Sequence, residues 1–286
     1  MSKLSSSLKA LVNAPFARPG PVAAPRHIDQ LFSGIAKDAA SRNISPRSWL
    51  AISTATTFTL NSPDSLTSLF QAASAAAPEG LGDGVKAAEF MREVGLKCIS
   101  FNGIPRSINC LNAFYASLPA DVASRLSTTP TRQFTSANIE AAIQRGRGLW
   151  DSVYRPFEKK LFDKLAQSHP DLPVFILNGN YAGLLSDPEE RGDLASVGRI
   201  HTSLVAISCL RSQTGVGPQV LSHVFGLRKA LDDGSWRKDR DGESEEAVKW
   251  LASDEGSQWI LNTVDKIVEA VGGSSFAVSG QPESKL

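Results

Sequence analysis

Apolar residues recur at three- and four-residue spacing along most of this chain, and the pattern breaks at proline and glycine. Ile28, Leu31, Phe32 and Ile35 share one helical face, and Trp49, Leu50 and Ile52 mark a second helical stretch. Ser62 and Pro63 suit the N-cap and first turn of a helix carrying Leu66, Leu69 and Phe70. After a flexible turn at residues 78–84, Val85, Ala88, Met91 and Val94 line one face of the next helix. Asn102-Gly103 ends that run, and Pro105 opens a helix whose buried stripe is read as Ile108, Leu111, Tyr115 and Leu118.

The second half repeats the style. A helix runs through Ile139, Ile143, Trp150 and Tyr154, continues past Pro156 and stops at His169-Pro170. The apolar residues 174–177 read as a helix start ahead of a loop at Asn178-Gly179-Asn180. From Arg199 an almost wholly apolar run leads to a break at Gly215 and then to a helix bearing Gln219, Ser222, His223 and Leu227. Residues 232–246 are charged and read as a solvated loop. Trp259, Ile260, Val264, Ile267 and Val271 form the last helix, closed by Gly272-Gly273. The prediction is an all-α protein without a sheet.

Residues 48–70 align without a gap on 203–225 at an offset of 155. Ser48, Ala51, Ile52, Ser53, Thr59, Pro63, Leu66 and Phe70 match Ser203, Ala206, Ile207, Ser208, Thr214, Pro218, Leu221 and Phe225. Each unit is a buried helix, a break and an amphipathic helix opened by proline, which suggests two related halves about a pseudo-twofold. The expected division is a basic Pro/Ser-rich arm or presequence (1–27), a first half (28–118), a linker (119–135), a second half (136–271) and a tail (272–286). In this alignment His223 lies over Ser68.

Composition narrows the function. The chain has 286 residues, 42% of them hydrophobic, and a net charge of +1, so no basic stripe marks it as a nucleic-acid binder. No apolar run reaches the length of a membrane span. Cys98, Cys110 and Cys209 show neither Cys-x-x-Cys nor zinc-ligand spacing, so no metal is expected and the thiols read as buried hydrophobes in a reducing compartment. A redox role for one of the three thiols is a minor alternative. Gly146-Arg147-Gly148 reads as a close-packing spot and His169 as a helix-end cap.

The stretch Ser203-Leu204-Val205-Ala206-Ile207, the break at Gly215 and His223 before Gly226 resemble the carboxymuconolactone decarboxylase and AhpD-like (alkylhydroperoxidase D) family, as does the turn Phe101-Asn102-Gly103-Ile104-Pro105-Arg106. The resemblance implies an AhpD-like helical fold, a cofactor-free site and association through helices, here a possible homodimer. Family peroxidases carry a Cys-x-x-Cys pair before the histidine. Val216 and Gln219 occupy those positions, and Asn61 and Asp64 do so in the first half, so dithiol peroxidase chemistry is absent. The decarboxylase branch implies acid–base chemistry on a small-molecule substrate, with His223 carrying the proton, Gln219 orienting it, and Arg199 or Arg106 clamping an anion. His201 is a further candidate substrate contact, with a helix N-terminal or surface position as the alternative. The family's acid has no counterpart at Arg199-Ile200-His201. A member that keeps the fold as an interaction or assembly protein, without the chemistry, is the second reading.

Two addresses compete. Ser284-Lys285-Leu286 is the peroxisomal import tripeptide and implies the import receptor as a partner. Residues 1–28 lack acids and carry Lys3, Lys9, Arg18 and Arg26, a composition like that of a mitochondrial presequence. The terminal motif is the more specific, and the peroxisome is the expected compartment.

Overall fold

The computed structural model describes residues 4–75, 84–192, 194–239 and 242–276, and among these there is no strand. α1 (Ser6–Val12) lies in the arm, the helices of the first half are α2 (Ile28–Ser41), α3 (Pro46–Thr59), α4 (Pro63–Ala75), α5 (Val85–Lys97), α6 (Ile99–Asn102) and α7 (Ile104–Ser117), and α8 (Ala120–Ala123) falls in the expected linker. Those of the second are α9 (Ile139–Tyr154), α10 (Glu158–Ser168), α11 (Asp171–Phe175), α12 (Gly198–Gln213), α13 (Gly217–Asp232), α14 (Glu245–Leu251) and α15 (Asp254–Ala270). A π-helical segment, Ile176–Leu185, continues directly from α11. The expected all-α class holds.

Two helices organise the molecule. Nearly every residue of α3 and of α12 is buried, including Leu50, Ile52 and Phe58 on one and Leu204, Ile207 and Cys209 on the other. They pack against each other, and α15 lies across both. This explains their poor amphipathicity, because a helix covered on all sides has no polar face to keep. One continuous core runs from Ile28 to Val271 and draws on both halves. A satellite cluster of Trp150, Leu177, Tyr181 and Leu185 sits between α9 and the π segment.

The two aligned stretches take the same succession of elements: α3, a break containing Asn61 at positive φ, and α4; then α12, a break at Thr214-Gly215, and α13. Their environments part at the second helix. Leu66 and Phe70 are buried on α4, whereas their counterparts Leu221 and Phe225 are half exposed on α13.

Several local expectations change. The buried stripe of α7 is Ser107, Cys110 and Phe114, turned by one residue from the expected one, and Ile108 and Tyr115 face solvent. Cys110 and Phe114 are what α4 and α5 receive, and the Phe114 ring meets Phe70 edge-on at 5.9 Å. Asn178-Gly179-Asn180 lies inside the π segment and is not a loop. The charged stretch after α13 is only partly solvated: Ser235–Lys238 forms a short 3-10 turn, and Glu243 is buried. Gly146 is a close-packing point as expected, since a Cβ there would lie 2.5 Å from the Ala182 backbone nitrogen. His169 caps the end of α10 and accepts from the Asp171 amide at 3.1 Å. The turn at residues 78–83, and Ser284-Lys285-Leu286, lie outside the described residues.

Candidate functional site

The site assembles where α12 begins. Gly198 sits at φ +80°, and a Cβ there would lie 2.6 Å from the Asp239 carboxyl carbon, so glycine is required. The first amides of the helix are held by two carboxylates. Asp187 accepts from Val197 and Gly198 at 3.0 and 2.7 Å, and Asp239 accepts from Arg199 at 2.7 Å and Ile200 at 3.3 Å. Negative charge at a helix N-terminus is favourable, and here it also fixes the register of the helix. Burial alone would raise the Asp187 carboxyl, but Lys97 at 2.9 Å and the Gly198 amide outweigh it and hold Asp187 below the usual range. For Asp239, burial outweighs the two amides and raises it. Sequence reading missed both acids, because each lies in a polar loop and acts on a helix distant in sequence.

Arg199 therefore enters the interior in a fixed position. Its Nε donates to Ser152 Oγ at 2.7 Å, Nη1 to Ser203 Oγ at 2.6 Å, and Nη2 to the Gly226 carbonyl at 2.6 Å and the Ser152 carbonyl at 3.2 Å. All four acceptors are neutral. A buried guanidinium that keeps its proton and is held by neutral acceptors is a source of positive potential. Burial works against its charge, and Asp233 and Asp239 act from further away to retain it.

His223 projects from α13 into the same region. Its Nε2 lies 3.5 Å from the Tyr154 hydroxyl, and Tyr181 donates to Tyr154 at 3.2 Å. Phe101 meets the imidazole edge-on at 6.0 Å. Burial first, and then the charge of Arg199, push the His223 pKa down to about 4, so the ring is neutral at physiological pH. Burial likewise raises both tyrosines, Tyr181 well above its ordinary value. Only three tyrosines occur in the chain, and two of them meet here. The sequence places Tyr154 only on a helix and Tyr181 beside the loop expected at Asn178-Gly179-Asn180, so neither stands out as a site residue.

A cavity of about 10 Å³ adjoins His223, lined also by Tyr181, Ser203 and Ala206. It shares Leu149, Leu185 and Thr202 with an open cleft of about 450 Å³, whose wall includes Arg145, Ser152, Asp187, Arg199, Lys238 and Asp239. The cleft is of small-molecule size, while the inner cavity is too small to hold a ligand. The side chains of Leu149, Leu185 and Thr202 stand between the two.

The other expected site residues fall elsewhere. Gln219 is exposed one turn from His223, and Tyr154 is the imidazole's polar neighbour instead. Arg106 donates to the Thr59 carbonyl and to Ser275 Oγ at 3.1 Å, and stacks on Phe276 with its guanidinium carbon 3.7 Å from the ring centre. It ties the break after α3 to the chain's last described residues. His201 is fully buried and not at the surface: its Nδ1 lies 3.0 Å from the Val197 carbonyl, and its Nε2 lies 3.7 Å from Glu243. Glu243 also accepts from Ser45 and Ser48. That group fastens α3 to α12 on a face remote from Arg199, because positions 199 and 201 point to different sides of the helix.

All three cysteines are buried. Cys209 donates to the Ala55 carbonyl at 3.9 Å and stands 3.6 Å from Cys98 Sγ, on the α3 side of α12. Burial, reinforced by Cys209, raises the Cys98 thiol far above its ordinary value, and burial pushes Cys110 up to about 12. Neither is a thiolate at neutral pH. Among the described residues no group of three or more His, Cys, Asp or Glu side chains is placed to hold a metal ion. Nor is any helix among them long and apolar enough to cross a membrane.

No family model matches the chain, and no solved structure matches it. The chain is 31% identical over 180 residues to Peroxisomal protein 2 of Saccharomyces cerevisiae. The match covers 56% of this chain and 58% of that protein, so the chain spans little more than half the length of its relative. The likeness supports a peroxisomal localisation, in agreement with the compartment expected from the sequence.

Proposed function

We propose that this protein is a peroxisomal, AhpD-like enzyme that works on a small molecule by acid–base chemistry at His223, without a dithiol pair. The observation that carries this reading is Arg199, a buried cation held by neutral acceptors alone, whose charge acts on a neutral imidazole at a small inner cavity next to the cleft. A neutral imidazole can accept a proton from a substrate carbon or hydroxyl. The negative charge left on the substrate would develop in the field of the Arg199 guanidinium, which its four internal hydrogen bonds hold in place. In the tautomer with its proton on Nε2, the imidazole donates to the Tyr154 oxygen, which also accepts from Tyr181, and the Nδ1 lone pair is left to take the substrate proton. His223 then returns the proton, and no cofactor is required.

The size of the inner cavity favours a second reading, in which the fold is kept for assembly and His223 is only packed. Turnover separates the two. Wild type and His223→Gln are compared on a panel of small lactones and carboxylated esters. The enzyme reading expects turnover by wild type and a loss of about a hundredfold or more in the variant. Equal turnover by both proteins would take His223 out of the chemistry, and none by wild type across the panel would favour assembly. For the address, deleting Ser284-Lys285-Leu286 from a tagged chain should release it to the cytosol, and retention in mitochondria would oppose it.

A further inference from the structure

Two of the residues that line the cleft outside Leu149 and Leu185 each carry a polar atom with no hydrogen-bond partner. Arg145 Nε, from α9, and Ser235 Oγ, from the turn after α13, both lack a hydrogen-bond partner, and both residues line this cleft. Arg145 makes no ion pair among the described residues, and neither does exposed Lys238 on the same wall. A donor buried without a partner is unfavourable, and a charged one more so, so residues of this kind along a cleft point to an acceptor from outside the chain.

The acids of the cleft do not supply it. Asp187 is engaged by Lys97 and two amides, and Asp239 by the amides of Arg199 and Ile200. Glu189 alone is unengaged, and it stands at the exposed rim. Two cations without an ion pair among the described residues, and a hydroxyl without a partner, thus belong to residues lining one space. Arg199 continues the same wall inward toward His223.

We propose that Arg145, Ser235 and Lys238 form a seat for an organic oxyanion, a carboxylate or a phosphate ester, at the end of the substrate remote from His223. The guanidinium takes the oxyanion through its planar fork, Ser235 donates a third hydrogen bond, and Lys238 adds charge from the rim. The substrate would then span the cleft, anchored outside the Leu149–Leu185 constriction and reacting inside it. This assignment rests on the reading of His223 as the reacting centre only for the direction in which the substrate lies. The seat itself stands without that reading.

Calorimetric titration of the full chain with benzoate and with phenyl phosphate tests it. At least one probe should bind, and the tighter of the two identifies the oxyanion. Arg145→Gln should weaken binding about tenfold, Arg145→Lys should weaken it less, and Glu189→Gln should leave it equal or tighter. Arg147→Gln removes an exposed cation from the same helix and should change nothing. Thermal melts of each variant confirm folding. If wild type bound neither probe, or if Arg145→Gln bound as well as wild type or no worse than Arg147→Gln, the seat would be refuted. The His223→Gln protein should bind the probe as wild type does. Unchanged turnover in that variant would remove the acid–base reading while leaving the seat in place.

Discussion

The Tyr154 hydroxyl lies 3.5 Å from His223 Nε2 and receives the Tyr181 proton at 3.2 Å, so the imidazole ends a short chain of two phenols. Gln219, one turn along α13, takes no part in it. Tyr154→Phe should therefore lower turnover by about tenfold, while changing stability by only about 1 kcal/mol. Gln219→Ala should alter neither. Steady-state rates and melting curves on the same preparations give both numbers.

Arg199 combines two roles, and its replacement should show both. Arg199→Met leaves the Ser152 and Ser203 hydroxyls and the Gly226 carbonyl without their donor, a loss of about 2–4 kcal/mol in denaturant unfolding. It also removes a cation that holds the imidazole neutral, so the His223 pKa should move upward. Lysine cannot reproduce four bonds from one planar fork, and Arg199→Lys should recover little of the stability.

Close approach of α9 to the π segment depends on one missing side chain. A Cβ at Gly146 would meet the Ala182 backbone at 2.5 Å, whereas one at Gly148 would meet nothing within 4 Å. Gly146→Ala should cost about 1–3 kcal/mol. Gly148→Ala, two residues on, should gain up to about 1 kcal/mol from helix propensity. Equal effects of the two substitutions would contradict the packing described.

Stability should depend on pH through His223. Its folded pKa of about 4 lies below the ordinary 6.5, so between these values the unfolded chain binds the extra proton. The stabilising contribution is full above pH 6.5 and is lost as pH falls toward 4, by about 3 kcal/mol in total. His223→Phe lacks this titration. The difference in unfolding free energy between wild type and variant should shrink or reverse by that amount across the interval.

Much of the fold was legible because helix starts carry local signals: Pro46, Pro63, Pro105 and Pro218 all stand in first turns. The continuous apolarity of α12 also pointed correctly to a helix covered on all sides. Burial on α7 was misjudged by one residue because Ile108 and Tyr115 are large and apolar yet have nothing to pack on, while small Ser107 and Cys110 meet their neighbours. The site was legible in His223 and Arg199 and illegible in its supports. Asp187, Asp239 and Tyr181 act across chain separations that no local spacing encodes, and Glu243 looked like solvated charge until its bonds to Ser45 and Ser48 placed it inside.

The proposed chemistry needs a neutral His223 that charge in the cleft can influence, and a nuclear magnetic resonance titration of its ring in the full chain reads this directly. Without ligand the midpoint should fall near pH 4, and saturation of the cleft with the bound oxyanion probe should move it upward, because negative charge favours the imidazolium. A midpoint near 6.5 in the free protein, or one that saturating probe leaves unmoved, would contradict the account.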